Sequence, residues 1–285
     1  MIKNKKILLT GAYGFLGSHL YESLKEKNKI YRIGRYKKNK KISLYNLKKT
    51  NFFFDTVIHC AGGSSVSNSI TNPKEDYKKT VESTKILLKY IKSHQKKIKF
   101  VFISSASVFG NSIKKSLLKP ISPYGKNKLI SEKILIKNSK KLGFDLTIIR
   151  FFSLYGEGLK KQLLWDTINK LKKKKFEFYG YGNEKRSWMH IKDAIKIIHL
   201  SIKNYHKEIK IINAPGKQIL TNKNVVELIY KNYNIKNKPY FNGIVRKGDP
   251  VEQVYTNKDL KDLNFVQSIN FQKGLNKYIK WFKKK

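Results

Sequence analysis

The sequence runs to 285 residues, 40% of them apolar or aromatic, which suits one two-lobed globular domain or two closely joined ones rather than a disordered chain. Its formal net charge of +43 comes almost wholly from dispersed lysines, with only five arginines, so it reads as codon drift with non-specific polyanion attraction at low salt, not as a specific nucleic-acid interface. The lone Cys60 excludes an intramolecular disulfide and a thiolate metal cluster and fits a reducing cytoplasm, and no apolar run approaches the ~20 residues that span a bilayer.

Residues 1–6 and the apolar stretch after them imitate a secretion signal, but three glycines interrupt that stretch, so no leader and no membrane partner are expected. Ile7–Thr10 reads as a short buried strand, Ser18–Lys27 as a helix and Ile30–Ile33 as a second strand. Thr56–Cys60 and Phe100–Ser104 are further apolar runs of strand length. Between them residues 73–93 have helical spacing, with Val81, Ile86, Leu87, Leu88 and Ile91 as the apolar stripe. Leu129–Lys141 reads as a helix and Leu146–Arg150 as a strand. This alternation predicts an α/β fold, a Rossmann-type doubly wound parallel sheet. After Arg150 the rhythm changes to short strands and mixed helices, among them Ile191–Lys203, Asn224–Tyr233 and Gly274–Phe282, which predicts a smaller C-terminal α/β lobe. The expected boundary divides residues 1–155 from 156–285. It is soft, and some segments of the second part are free to return to the first.

Gly11, Gly14 and Gly17 fall between the first strand and its helix. Gly11 permits a tight turn, Gly14 lets the backbone approach a pyrophosphate, and Gly17 lets helix and strand pack closely. The backbone of Phe15, Leu16 and Gly17 at the helix start offers free N–H groups to phosphates. The G-x-x-G-x-x-G spacing resembles the extended short-chain dehydrogenase/reductases, which implies a nicotinamide dinucleotide. At the end of the second strand, where NAD enzymes carry an acidic residue for the ribose, residues 32–38 hold no carboxylate. Arg35 there either pairs with a 2′-phosphate or decorates the surface. The expected cofactor is therefore NAD or NADP, leaning to NADP, and no metal is expected.

Tyr124 and Lys128 form a Y-x-x-x-K pair whose i, i+4 spacing puts both side chains on one helical face. A phenol with pKa ~10 is a poor base at neutral pH, and lowering it by ~3 units needs about 4 kcal/mol of phenolate stabilisation from nearby positive charge. In a chain rich in both residue types the spacing alone carries little. However, the preceding strand ends Ser104-Ser105-Ala106-Ser107-Val108-Phe109-Gly110, and Pro123 precedes the tyrosine. Together these resemble the strand end and S-P-Y-G-K-S-K helix of the NAD(P)-dependent nucleotide-sugar epimerase/dehydratase family, of the UDP-glucose 4-epimerase kind. The resemblance implies Ser105 as the hydroxyl that orients the substrate oxygen, Tyr124 as acid/base and Lys128 as its modulator and ribose ligand, with Ser104 and Ser107 structural.

The resemblance extends along nearly the whole chain. Residues 55–62 look like the family's third strand, so that Cys60, Ala61 and Gly62 line the cofactor. Val66, Ser69 and Pro73 fall at matching places. Residues 186–193 look like its R-D-Y-I-H-V-x-D, and Arg246-Lys247-Gly248-Asp249 like its R-x-G-D. This implies Arg186, Arg246 and Asp249 as substrate-binding residues, the arginines on the diphosphate; the alternative for each arginine is a structural pair with a carboxylate. Asp193 reads as a helix-start or hinge residue. Ser153 replaces an asparagine of the family's R-Y-F-N, Thr80 replaces another asparagine, and Asn46-Leu47 stand near the expected adenine contact. Ala106-Ser107 occupy the place where the family's 4,6-dehydratases carry Asp-Glu and its decarboxylases a glutamate, which argues against elimination and decarboxylation. The expectation is a nucleoside-diphosphate-sugar 4-epimerase. An NADPH-dependent 4-ketosugar reductase on the same three residues is the rival, and a non-catalytic dinucleotide-binding protein the remote one. The expected partner is the nucleotide sugar, with a homodimer left open.

Overall fold

The computed structural model describes residues 2–34, 44, 47, 52–94, 98–111, 117–203, 209–256 and 258–285. Strand β1 (Lys6–Thr10), buried from Ile7 onward, turns into helix α1 (Phe15–Leu24). That helix starts three residues before the predicted Ser18. Glycine lowers helix propensity by up to ~1 kcal/mol, so propensity starts the helix after Gly17. Packing starts it at Phe15, because a Cβ at residue 17 would lie 2.1 Å from the Gly11 carbonyl oxygen. Next come β2 (Lys29–Ile33), β3 (Thr56–His59), α2 (Val66–Thr71), α3 (Pro73–Tyr77), one π-helical turn (Lys78–Glu82), α4 (Ser83–His94), β4 (Lys99–Ser105), α5 (Pro123–Leu142) and β5 (Asp145–Phe151). The predicted stripe of residues 81–91 is buried except for the half-buried Ile86, but a π turn interrupts the expected single helix. Ser122 caps α5 by accepting from the Gly125 N–H at 3.1 Å, Pro123 occupies its first turn, and Gly143 ends it at φ 71°.

The second half contributes β6 (Ser153–Tyr155), α6 (Gln162–Lys172), β7 (Glu177–Phe178), β8 (Lys185–His190), α7 (Ile191–Lys203), β9 (Lys210–Ala214), β10 (Gln218–Thr221), α8 (Asn222–Asn232), β11 (Tyr240–Phe241), β12 (Glu252–Gln253), α9 (Lys258–Lys261) and α10 (Phe271–Lys283). The main sheet is parallel throughout, in the order β2-β1-β3-β4-β5-β9. Hence β9 returns from the second half to the first sheet, as does α7, whose Ile197 and Ile198 pack with Leu20 and Leu24 of α1 and with Leu9, Val101 and Ile149 of the sheet. The other face buries Leu8, Val57, Phe100 and Ile148 under Leu87 and Ile91 of α4 and Leu135 of α5. Burying both faces explains why these strands read as continuous apolar runs. A second sheet, β10-β8-β12 with β6 on β8, builds a separate core around Tyr155, Trp188, Val225, Leu275 and Tyr278.

The chain runs from β1 outward to β2 and then crosses to β3 on the other side of β1. This places a topological switch point at the C-terminal ends of β1 and β3, where open α/β sheets bind ligands. Among the described residues no helix is long and apolar enough to cross a membrane, and no cluster of three metal-ligating side chains occurs.

Candidate active site

The glycine turn lies at that switch point. Gly11 has φ 65°, and a Cβ there would lie 2.7 Å from the Ala61 nitrogen and from the Cys60 carbonyl carbon. Gly11 is thus in direct backbone contact with Cys60 and Ala61. A Cβ at Gly14 would meet only the Gly11 oxygen, at 3.3 Å, so its outer side is open. Gly14 caps α1 without a side-chain hydrogen bond, and the first turn carries no acidic residue. The N–H groups of Phe15, Leu16 and Gly17 therefore remain available to an anion, and the cradle fits a dinucleotide pyrophosphate. The floor is rigid: Thr10 Oγ1 meets His59 Nδ1 at 2.6 Å and accepts the Ala61 N–H at 3.3 Å, and Thr84 Oγ1 lies 3.1 Å from His59 Nε2. Burial holds His59 neutral, its pKa lowered to about 3. Arg32 stacks between Tyr21 and Tyr13, at 4.0 and 5.1 Å from their ring centroids. Arg35 and Asn46 lie outside the described residues.

Ser105 ends β4, and Tyr124 and Lys128 stand in the first two turns of α5. The structure brings all three together. The Ser105 side chain stands beside the Tyr124 phenol; its Oγ donates to Ser107 Oγ at 3.2 Å and accepts the Ser107 N–H at 3.2 Å. Ser69 of α2 accepts the Tyr124 N–H at 3.0 Å, which fixes the start of the helix. Lys128 is buried; its Nζ donates to the Ile103 carbonyl at 2.8 Å and lies 5.9 Å from the Tyr124 ring centroid. A Cβ at Gly62 would come within 3.1 Å of that Nζ. Burial lowers the Lys128 pKa to about 8, opposed by Cys60, Asp76 and Glu132. Burial raises the Cys60 thiol to about 12, so it is inert as a nucleophile at neutral pH. Burial pushes the Tyr124 pKa up, with Ser105 opposing and Asp76 reinforcing. Protein groups alone do not make this tyrosine a base; more positive charge must stand beside it.

Behind these residues lies a network that the sequence did not announce. Glu132 extends the Tyr124–Lys128 stripe by four residues and accepts from Ser104 Oγ at 2.5 Å. It also forms a fork with Arg150 of β5, at 3.0 Å to Nε and 2.6 Å to Nη2. Both partners are buried. The i, i+4, i+8 run 124–128–132 was the available signal for Glu132; for Arg150 it was the scarcity of arginine.

Across the cleft, Ser153 opens β6 two residues beyond Phe151, the register partner of Ser105. Arg186 and Arg246, 60 positions apart, converge: Asp249 feels both guanidinium charges. Their environments differ. Arg186 donates to the carbonyls of Pro250 at 2.6 Å, Val251 at 3.2 Å and Lys185 at 2.9 Å, and so pins the loop that carries Asp249. Arg246 is exposed and lies over the Tyr179 ring, 4.4 Å from its centroid. Gly248 carries this loop onto the starts of α5 and α2, for a Cβ there would lie 3.1 Å from Ser122 Cβ and 3.2 Å from Val66 Cγ1. Asp193 holds the segment before α10 by accepting from the Ser268 and Ile269 N–H groups at 3.1 and 2.9 Å.

A model of the NAD dependent epimerase/dehydratase family matches residues 7–214, the span from β1 to β9. The chain belongs to that family. Among its relatives, an uncharacterized UDP-glucose epimerase of Bacillus subtilis (strain 168) is 28% identical over 256 residues, 79% of this chain and 81% of its own. The UDP-glucose 4-epimerase of Mycoplasma genitalium is 28% identical over 251 residues, 72% of this chain and 74% of its own. The fold is shared with the UDP-glucuronic acid 4-epimerase of Bacillus cereus, solved with UDP-glucuronic acid and NAD: TM-score 0.87, 23% identity, 98% of this chain and 99% of that one. As an epimerase/dehydratase family member, this chain is an NAD-dependent enzyme.

Proposed function

We propose that this chain is a nucleoside-diphosphate-sugar 4-epimerase, most directly of a UDP-sugar, working with NAD. The observation that carries it is the joining of Ser105, Tyr124 and Lys128 at the switch point, with Ala106-Ser107 where elimination would need two carboxylates. The activities named for the relatives support the same reading. Residues 11, 14–17 and 60–62 hold the dinucleotide, whose nicotinamide supplies a reversible hydride acceptor when bound. Ser105 orients the C4 oxygen, and Tyr124 takes and returns its proton. Lys128 supplies the positive charge that the buried phenol needs, and its ammonium is the ribose donor. Ser153 borders the sugar, and the Arg246–Asp249 loop covers the diphosphate and excludes water. In this reading residues 1–155 form the dinucleotide lobe and 156–285 the substrate lobe, with residues 191–214 returned to the first. The place of work is the cytoplasm, and a homodimer is the proposed assembly.

The test is incubation of purified protein with UDP-glucose, UDP-galactose and UDP-glucuronate and sub-stoichiometric NAD, followed by proton NMR of the sugars. Interconversion at C4 without net cofactor consumption is the expected result. Stoichiometric use of NADPH on a 4-ketosugar nucleotide, without interconversion, would assign the reductase instead.

Arg246→Ala is expected to raise the substrate KM about ten- to a hundredfold, the ~1.5–3 kcal/mol of one charge-assisted hydrogen bond, and to leave cofactor affinity unchanged. Arg186→Ala should weaken substrate binding as well, through the loop it pins. Calorimetric titration with UDP reads both, and the proposal fails if UDP binds neither the wild type nor the variants. The choice between NAD and NADP rests on Arg35. Arg35→Ala should weaken NADP(H) more than NAD(H) if a 2′-phosphate sits there, whereas equal changes in the two dissociation constants make Arg35 a surface residue and leave NAD as the cofactor.

A further inference from the structure

An aspartate in the first turn of a five-residue helix ordinarily faces solvent. Asp76 of α3 is instead only 5% exposed. Asn127 of α5 donates its Nδ2 to Asp76 Oδ2 at 2.8 Å. On the other side the carboxylate presses on Gly63, where a Cβ would lie 1.6 Å from Oδ1 and 3.1 Å from Oδ2. The neighbouring residues repeat the contact with opposite charge, since Lys128 follows Asn127 and its Nζ would lie 3.1 Å from a Cβ at Gly62. Two consecutive glycines at the end of β3 thus make room for a carboxylate and an ammonium, and a side chain on either would displace its partner. Gly63 is held there by its N–H, which donates to Thr80 Oγ1 at 2.8 Å.

The charges around Lys128 can be taken one by one. From β3 and its end come His59, held neutral, and Cys60, held as a thiol. From α5 come the Tyr124 phenol and Glu132, the latter forked onto Arg150. From α3 comes Asp76. Among the described residues it is the carboxylate near Lys128 that has no cation of its own within ion-pair distance. The direct hydrogen bond of Lys128, to the Ile103 carbonyl, carries no formal charge.

We propose that Asp76 is a positioning residue, the buried counter-charge that keeps Lys128 an ammonium and directs it at the Gly62–Gly63 turn. A negative charge there favours the ammonium and disfavours the phenolate. Its removal therefore lowers the pH at which each group loses its proton. If Tyr124 must ionise and Lys128 must stay charged for turnover, both limbs of the bell-shaped pH profile move to lower pH. That kinetic half rests on the assignment of the acid/base pair above; the charge coupling itself does not.

The test is a pH titration of 13Cε-lysine NMR signals on the full chain without sugar, the Lys128 signal being the one lost in Lys128→Met. That variant is needed because burial lowers Lys161 to about 8 too. Asp76→Asn keeps an oxygen for the Asn127 donor and a similar bulk beside Gly63, and removes only the charge. The Lys128 midpoint should fall by about 1 unit, and the pH optimum of turnover should fall with it. Asp76→Glu, which keeps the charge, should restore most of the midpoint. If Asp76→Asn does not fold, Asp76→Ser removes the same charge and keeps an acceptor on that side of Asn127, and the midpoint should again fall. A midpoint unmoved in the charge-removing variant that folds overturns the proposal. A wild type that epimerises no nucleotide sugar overturns the functional reading instead and leaves the lysine titration informative.

Discussion

Tyr124→Phe is expected to lower turnover by about 10²–10⁴, equivalent to about 3–5 kcal/mol of barrier, while the dissociation constant for NAD stays within about a factor of two of wild type. The reasoning begins with position. The Tyr124 backbone is fixed by the Ser69 hydroxyl at 3.0 Å and by the cap of α5 one turn earlier, so losing one oxygen does not unseat the ring. The phenol oxygen stands beside Ser105 and, in the proposed reaction, is the group whose proton moves. Burial already holds that proton tightly, so the enzyme relies on positive charge to release it, and no neighbouring hydroxyl is a substitute base: Ser105 and Ser107 would need far more help than a phenol. The pyrophosphate cradle, built of residues 11–17 and 60–62, does not involve the phenol. A variant that keeps more than a tenth of wild-type turnover removes Tyr124 as the acid/base. A variant that also loses NAD affinity assigns it a binding role.

The sequence made the dinucleotide half legible because its signals are local. A glycine turn between a strand and a helix is specified by residues within one turn of each other, and the structure sets Gly11 against the backbone of Cys60 and Ala61. What it did not reveal depends on distant residues. The start of α1 was misplaced because Gly17 has poor helix propensity, whereas its place is set by the Gly11 carbonyl. Residues 210–214 give no hint that they pair in parallel with β5 rather than with their neighbours in sequence. Burial of the phenol, which the sequence does not show, pushes its pKa up in the chain alone, so the acidification reckoned from Lys128 and a nicotinamide cation has a desolvation cost to overcome as well. Asp76 and Glu132 stand on helices of a lysine-rich chain and nothing local in the sequence marks their burial, yet both are buried, against α5 or within it. Arginine scarcity proved the better guide. Of the four arginines described, one stacks on tyrosines, one is buried in a fork, and two meet near Asp249.

The buried fork leads to the second large effect, on stability. Arg150→Ala is expected to destabilise the fold by about 3–5 kcal/mol, because it leaves the Glu132 carboxylate buried with only the Ser104 hydroxyl as a direct partner. An isolated buried carboxylate is strongly disfavoured, so Glu132 should take up a proton in the variant, and the deficit should shrink as the pH is lowered toward the range where carboxylic acids are neutral. Glu132→Leu alone should cost a comparable amount by leaving the guanidinium buried over the Phe109 ring, 5.2 Å from its centroid, without its anion. The double variant Glu132→Leu/Arg150→Met should recover most of the loss, since replacing both charges of a buried pair by apolar groups of similar volume is often neutral. Urea denaturation of the four proteins at two pH values decides it. Non-additivity is the signature: a double variant as unstable as the sum of the singles would mean that the two side chains contribute independently. Turnover should not return with stability. Glu132 supports the charge on Lys128, and the Ser104 hydroxyl that it accepts from is one residue from Ser105. A double variant that is stable but slow is therefore the expected outcome, and it would separate what the fork does for the fold from what it does for the catalytic strand end.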